Sequence, residues 1–133
     1  MSGSRATYLD SSALVKLVLD EPESVALRKY VRRRRTLMSS ALARTEVARA
    51  VMSEGPQAIQ RGKEVLESVE LLRINDRVLE SAGTMMPVEL RSLDGIHIAT
   101  ARMIRHELAQ FVTYDVRMAA AARDHGMNVA RPE

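Results

Sequence analysis

The chain alternates short apolar runs with longer stretches in which apolar residues recur every three or four positions. Runs of the first kind read as strands and stretches of the second kind as helices. Strands are expected at residues 6–9, 36–39, 70–74, 110–114 and 127–129. Helices are expected at residues 13–19, 23–34, 40–54, 57–68 and 116–125. One more runs from Asp76 through Val78, Leu79 and Ala82 towards Pro87, and another opens at Ser92-Leu93-Asp94 and carries Ile96, Ala99, Met103 and Ile104 on one stripe. Ser11 and Ser12, Ser39 and Ser40, and Asn75 and Asp76 are candidate helix caps. Gly55-Pro56 breaks a helix, and Gly126 suits a left-handed helix end. Strands that alternate with helices argue for a parallel α/β sheet. No linker, repeat or low-complexity segment interrupts the pattern, so residues 1–133 are expected to form one domain.

Composition narrows the choices. The chain has no cysteine, which excludes disulfides and thiolate metal sites. No apolar run approaches the ~18 residues needed to span a bilayer, and the first residues, Met1-Ser2-Gly3-Ser4-Arg5, lack an apolar signal region. A cytoplasmic protein with no membrane contact is expected. Of 20 basic residues only three are Lys. Arg presents a planar fork of donors that matches phosphate, although a G+C-rich genome also favours Arg for no structural reason.

Four acids stand at places where chemistry is common. Asp10 follows the first strand directly, at the edge of a parallel sheet where ligands bind; an N-cap is the plainer role for it. Glu46 lies mid-helix with Leu42, Ala43 and Ala50 three or four residues away, so it sits beside the apolar stripe. Its plainer role is a surface pair with Arg44 or Arg49. Asp94 stands in a first helical turn, where Asp also serves the helix dipole. Asp115 repeats the strand-to-helix geometry of Asp10. Two caps sharing one crevice repel unless a cation intervenes. The expectation is that the four carboxylates meet and hold a divalent cation for phosphodiester hydrolysis. His97, three residues after Asp94, is expected to be a buried hydrogen-bonding residue and not a metal ligand.

The segments around these acids resemble the PIN domain, and closely the VapC-type toxins of bacterial toxin–antitoxin pairs. They are Tyr8-Leu9-Asp10-Ser11-Ser12-Ala13-Leu14-Val15-Lys16, the helix Ser39-Ser40-Ala41 to Glu46-Val47-Ala48-Arg49-Ala50, Leu90-Arg91-Ser92-Leu93-Asp94-Gly95-Ile96-His97-Ile98-Ala99-Thr100-Ala101, and Phe111-Val112-Thr113-Tyr114-Asp115-Val116-Arg117-Met118. Gly95 stands where such families more often have Ala, which is expected to loosen the helix start. The resemblance implies a PIN-like three-layer fold, with a parallel sheet of about five strands in the order 3-2-1-4-5 flanked by helices. It implies a Mg2+-dependent ribonuclease, Mn2+ being the alternative ion, with Asp10, Glu46, Asp94 and Asp115 as the catalytic and metal-binding set. Ser12 matches a position that helps hold the metal shell or a phosphate. It also implies a homodimer and a cognate VapB-type antitoxin laid in a groove near the acids. Leu14, Val15, Val18, Tyr30 and Val31 are candidates for lining that groove, with the core as their plainer place.

Within this scheme Asp10 and Asp94 are the expected direct ligands, and Glu46 and Asp115 act through water, orient the nucleophile or hold a second ion. Arg117, Arg44 and Arg49 are candidates for contacting RNA phosphate. The run Arg32-Arg33-Arg34-Arg35 is expected to be a solvated turn. Rival folds fit less well. A phosphoacceptor receiver needs an acid ending its third strand, where Ile74-Asn75 stand. A haloacid-dehalogenase-type phosphatase needs a second Asp two residues after the first, where Ser12 stands. A non-toxin PIN nuclease, or a non-catalytic RNA- or protein-binding adaptor with a retained acidic pocket, is the alternative function.

Overall fold

In the computed structural model, which describes residues 5–133, the elements are β1 (Ala6–Leu9), α1 (Ser11–Val18), α2 (Ser24–Arg32), β2 (Thr36–Ser40), α3 (Ala43–Val51), α4 (Pro56–Glu67), β3 (Glu70–Leu72), α5 (Asp76–Gly83), α6 (Ser92–Met103), β4 (Leu108–Val112), α7 (Val116–Asp124) and β5 (Val129–Ala130). A single 3₁₀ turn, Met52–Glu54, joins α3 to Gly55, whose φ of 98° suits glycine. The sheet order is β3-β2-β1-β4-β5, and every pair is parallel. This is the expected fold.

Strand alternation divides the core in two. Leu9 and Val112 face a layer built by α1 to α4, with Leu14, Val18, Leu27, Val47 and Val51 at its centre. Tyr8 and Phe111 point the other way, stacked at 5.1 Å between ring centroids, into a layer with Ile98, Met118 and Ala122. Helices α6 and α7 supply that layer, and α5 packs on α6. Because β1 pairs with both β2 and β4, the direction of winding reverses beside it. The crevice at the carboxyl ends of β1 and β4 is therefore the place for a ligand.

Several boundaries differ from expectation for identifiable reasons. α1 begins at Ser11, because Asp10 and neither serine is its cap. β4 starts at Leu108 and stops at Val112, so Thr113 and Tyr114, the latter in a bend, link it to Asp115. Gly95 lies inside α6 facing α5, where an added Cβ would stand 3.4 Å from the Ala82 carbonyl oxygen, an ordinary contact. Leu14 and Val18 are buried, and Val15, Tyr30 and Val31 pack against the same core. The four arginines from Arg32 to Arg35 are exposed, with Arg34 lying 3.9 Å over the ring of Tyr30. The carboxyl-terminal residues are tied down by Tyr114, whose hydroxyl donates to the carbonyl of Pro132 at 2.7 Å. Among the described residues no helix is long and apolar enough to cross a membrane.

Candidate active site

Asp10 is 2% exposed and caps α1, accepting from the Ala13 amide at 3.0 Å. Two hydroxyls complete its shell. Ser12 donates to Oδ1 at 2.6 Å and accepts from the Tyr114 amide at 3.0 Å. Thr113 donates to Oδ2 at 2.5 Å and accepts from the Asp115 amide at 3.0 Å. Each hydroxyl thus relays a backbone N–H to one carboxylate oxygen, and a chain of donors polarises each member. Burial still dominates, and it raises the Asp10 pKa above the ordinary carboxylate range despite these bonds.

Glu46 reaches the crevice from α3 and makes no surface pair with Arg44 or Arg49. Its Oε1 accepts from His97 Nε2 at 2.7 Å and, in a very short bond, from Ser11. Burial pushes its pKa up, but the bonds from His97 and Ser11 outweigh that and leave it lowered. His97 Nδ1 lies 2.7 Å from the Tyr8 hydroxyl. A carboxylate only accepts, so Nε2 carries the hydrogen that faces Glu46, while Nδ1 meets the Tyr8 hydroxyl, which burial keeps protonated. Tyr8, His97 and Glu46 form a line running from the core to the crevice, which gives His97 the buried role expected for it.

Asp94 and Asp115 are joined by a cation of the chain itself. Arg91 sets Nε 3.2 Å from Asp94 and a terminal nitrogen 3.4 Å from Asp115. The other oxygen of Asp115 caps α7, accepting from the amides of Arg117 and Met118 at 2.9 and 3.2 Å. Asp10 and Asp115 both serve as caps, and both also line the crevice, so the two roles are compatible.

One continuous set of contacts thus links the acids. Glu46 meets Ser11, the neighbour of Asp10; Asp10 meets Thr113, which holds the Asp115 amide; Asp115 and Asp94 share Arg91. The acids are not gathered round a point: among the described residues no three or more His, Asp or Glu side chains are grouped to hold an ion. The donors nonetheless suit Mg2+ in kind. They are hard carboxylate oxygens with no thiolate, and the guanidinium of Arg91 already places one positive charge between two of them. Arg117, also a candidate, is exposed beside Asp94. Arg44 and Arg49 are exposed on α3.

Four residues in this network had no functional expectation attached. Tyr8 was only part of a strand and Thr113 part of a strand end. Thr113 stands two residues before Asp115, close enough for its hydroxyl to accept from the Asp115 amide. Arg91 precedes Asp94 by three residues, the spacing of a helical neighbour. Ser11, a cap candidate by sequence, instead bonds Glu46 while Asp10 caps the helix.

The fold and this arrangement can be set beside known proteins. A family model described as the PIN domain matches residues 7–124, and the chain belongs to the PIN domain family. Its relatives place it with the VapC ribonucleases: Ribonuclease VapC46 of Mycobacterium tuberculosis is 51% identical over 127 residues, covering 96% of this chain and 98% of that one. Among solved structures, Mycobacterium tuberculosis VapC20, described as a Sarcin-Ricin loop cleaving toxin, has a TM-score of 0.73 at 16% identity, covering 95% of this chain and 99% of the other. A toxin–antitoxin complex from Klebsiella pneumoniae gives 0.70 at 18%, covering 96% and 98%.

Proposed function

We propose that this chain hydrolyses RNA phosphodiester bonds with Mg2+, or with Mn2+ in its place, using Asp10, Glu46, Asp94 and Asp115. The observation that carries the reading is the single network joining the four acids across β1, α3, α6 and the entry to α7. When bound, the ion would polarise the scissile phosphate and make a bound water more acidic.

The chain's own residues do the rest. Asp10 and Asp94 would hold the ion. Ser12 and Thr113 fix the Asp10 carboxylate in one rotamer, and the single proton of Ser12 is used there. In this reading Ser12 supports the metal-binding carboxylate, and a phosphate contact would require its hydroxyl to turn from Asp10. Glu46 is kept ionised and aimed by His97 and Ser11, so it can accept a proton at its other oxygen from the attacking water. Asp115 is held between the α7 amides and Arg91. Arg91 and Arg117, exposed at the mouth, are suited to RNA phosphates, and binding through them should weaken as salt rises. A cognate VapB-type antitoxin would silence the enzyme, and two copies would pair. The neighbouring toxin–antitoxin complex from Klebsiella pneumoniae supports the first of these.

The test uses purified protein and a mixed RNA pool with Mg2+, with Mn2+ and with EDTA. Cleavage should need the ion and vanish in Asp10→Asn, which keeps the cap. Cleavage by Asp10→Asn at the wild-type rate would defeat the assignment. Sequencing RNA ends after induced expression of the two forms would name the target.

A further inference from the structure

Beside Asp94 lies a hollow of about 420 Å³, within the usual size of a small-molecule site. One wall is the segment from Pro87 to Arg91; the other is the face of α7 carrying Arg117, Ala120, Ala121 and Asp124. The first wall is held in place. The Leu90 amide donates to the Pro87 carbonyl at 3.0 Å, His125 Nε2 lies 2.9 Å from the Met86 carbonyl, and Leu90 packs on the core. Between the walls the lining is mostly apolar, from Pro87, Leu90, Ala120 and Ala121, with Arg91 and Arg117 at the catalytic end and the carboxylates of Glu89 and Asp124 also present.

We propose that this hollow receives one unstacked base of the RNA, next to the cut, and prefers bases with an exocyclic amino group. The proposal rests on the ribonuclease reading above. Its location follows from Asp94, which belongs both to the acid network and to the hollow. A phosphate at the acids leaves its flanking nucleotide within reach of this cavity and no room for a paired helix inside it. Its occupant follows from its chemistry. Apolar side chains and guanidinium planes accept the face of a base, the usual mode for single-stranded RNA. Arg91 and Arg117 can donate to the acceptor atoms of any base, so they do not discriminate; Glu89 and Asp124 add acceptors, which favour the exocyclic amino groups of guanine, cytosine or adenine over uracil, whose one edge donor is its ring N3–H.

The test has two arms. In the first, the full chain in EDTA is titrated with the 5′-monophosphates of guanosine, cytidine, adenosine and uridine, and with ribose 5-phosphate, while the methyl signals of Leu90, Ala120 and Ala121 are followed by NMR. At least one amino-bearing nucleotide should bind roughly fivefold or more tighter than the uridine nucleotide. Ala120→Phe, at an exposed position, should abolish that binding while leaving the thermal midpoint near wild type. Equal binding of all four nucleotides, shifts produced as well by ribose 5-phosphate, no shifts, or binding unchanged in Ala120→Phe would each overturn the pocket. In the second arm, cleavage sites of wild type and Ala120→Phe are mapped on one RNA pool with Mg2+. The wild type should cut beside an amino-bearing base and the variant should lose that preference; an unaltered preference would overturn the pocket. A wild type that cleaves nothing would refute the ribonuclease reading instead, and the NMR arm would still decide whether the hollow binds a base.

Discussion

A buried carboxylate with two hydroxyl partners is a liability until something positive meets it. Burial raises the Asp10 pKa, so its neutral form is favoured in the fold relative to the unfolded chain. A raised folded pKa means stability present at low pH and lost as pH climbs through the raised value. Asp10→Asn removes that loss and keeps an acceptor for the Ala13 amide. Urea melts in chelator should therefore show the variant gaining on wild type as pH rises above about 4, with a slope no steeper than about 1.4 kcal/mol per pH unit, that of one proton. A difference that stays flat across this range would contradict the burial argument. His97 offers a second prediction at this scale. Tyr8→Phe removes the hydrogen-bond partner of Nδ1, and should lower stability by about 1 kcal/mol and slow RNA cleavage, both measurable on one preparation. His97→Gln, which retains a donor for Glu46, should keep more activity than His97→Leu.

At the scale of elements, the crossing of α5 and α6 invites a direct test. Glycine inside a helix lowers stability by roughly 0.5–1 kcal/mol relative to alanine, and a Cβ at Gly95 would touch Ala82 at ordinary contact distance. Gly95→Ala should thus stabilise the fold by a similar amount, read as a rise in the urea midpoint at unchanged slope. Core positions behave oppositely. Leu14 is fully buried under the sheet, and Leu14→Ala should lower stability by about 2–5 kcal/mol. The strand and helix pattern was legible because apolar spacing dictates which faces meet, and it led to the sheet order once the family likeness was seen. The ends of elements were less legible. Whether Asp10 or Ser11 caps α1 depends on Thr113 and Tyr114, which lie over a hundred residues away and complete the Asp10 shell. The acids stood out because each sits at a marked turn or on an apolar edge. Their partners did not, since nothing local in the chain announces that Tyr8 will meet His97 or that Arg91 will face Asp115.

For the molecule as a whole, the informative quantity is how firmly Arg91 holds its place. Its side chain is 63% exposed, and exposed ion pairs contribute only about 0–1 kcal/mol. A divalent ion meeting two carboxylates can displace it. Arg91→Gln should accordingly bind Mg2+ more tightly, seen as a larger rise of the thermal midpoint per added Mg2+ than in wild type. A smaller rise would show that Arg91 assists the ion and does not compete with it.

The bridge made by Arg91 also bears on how the site is loaded. Because the Arg91 guanidinium lies between Asp94 and Asp115, these two carboxylates share a positive neighbour supplied by the chain itself. If the proposed ion binds here, its arrival is an exchange of one positive charge for another, and the occupancy of the site is set by a competition between the ion and the chain's own guanidinium.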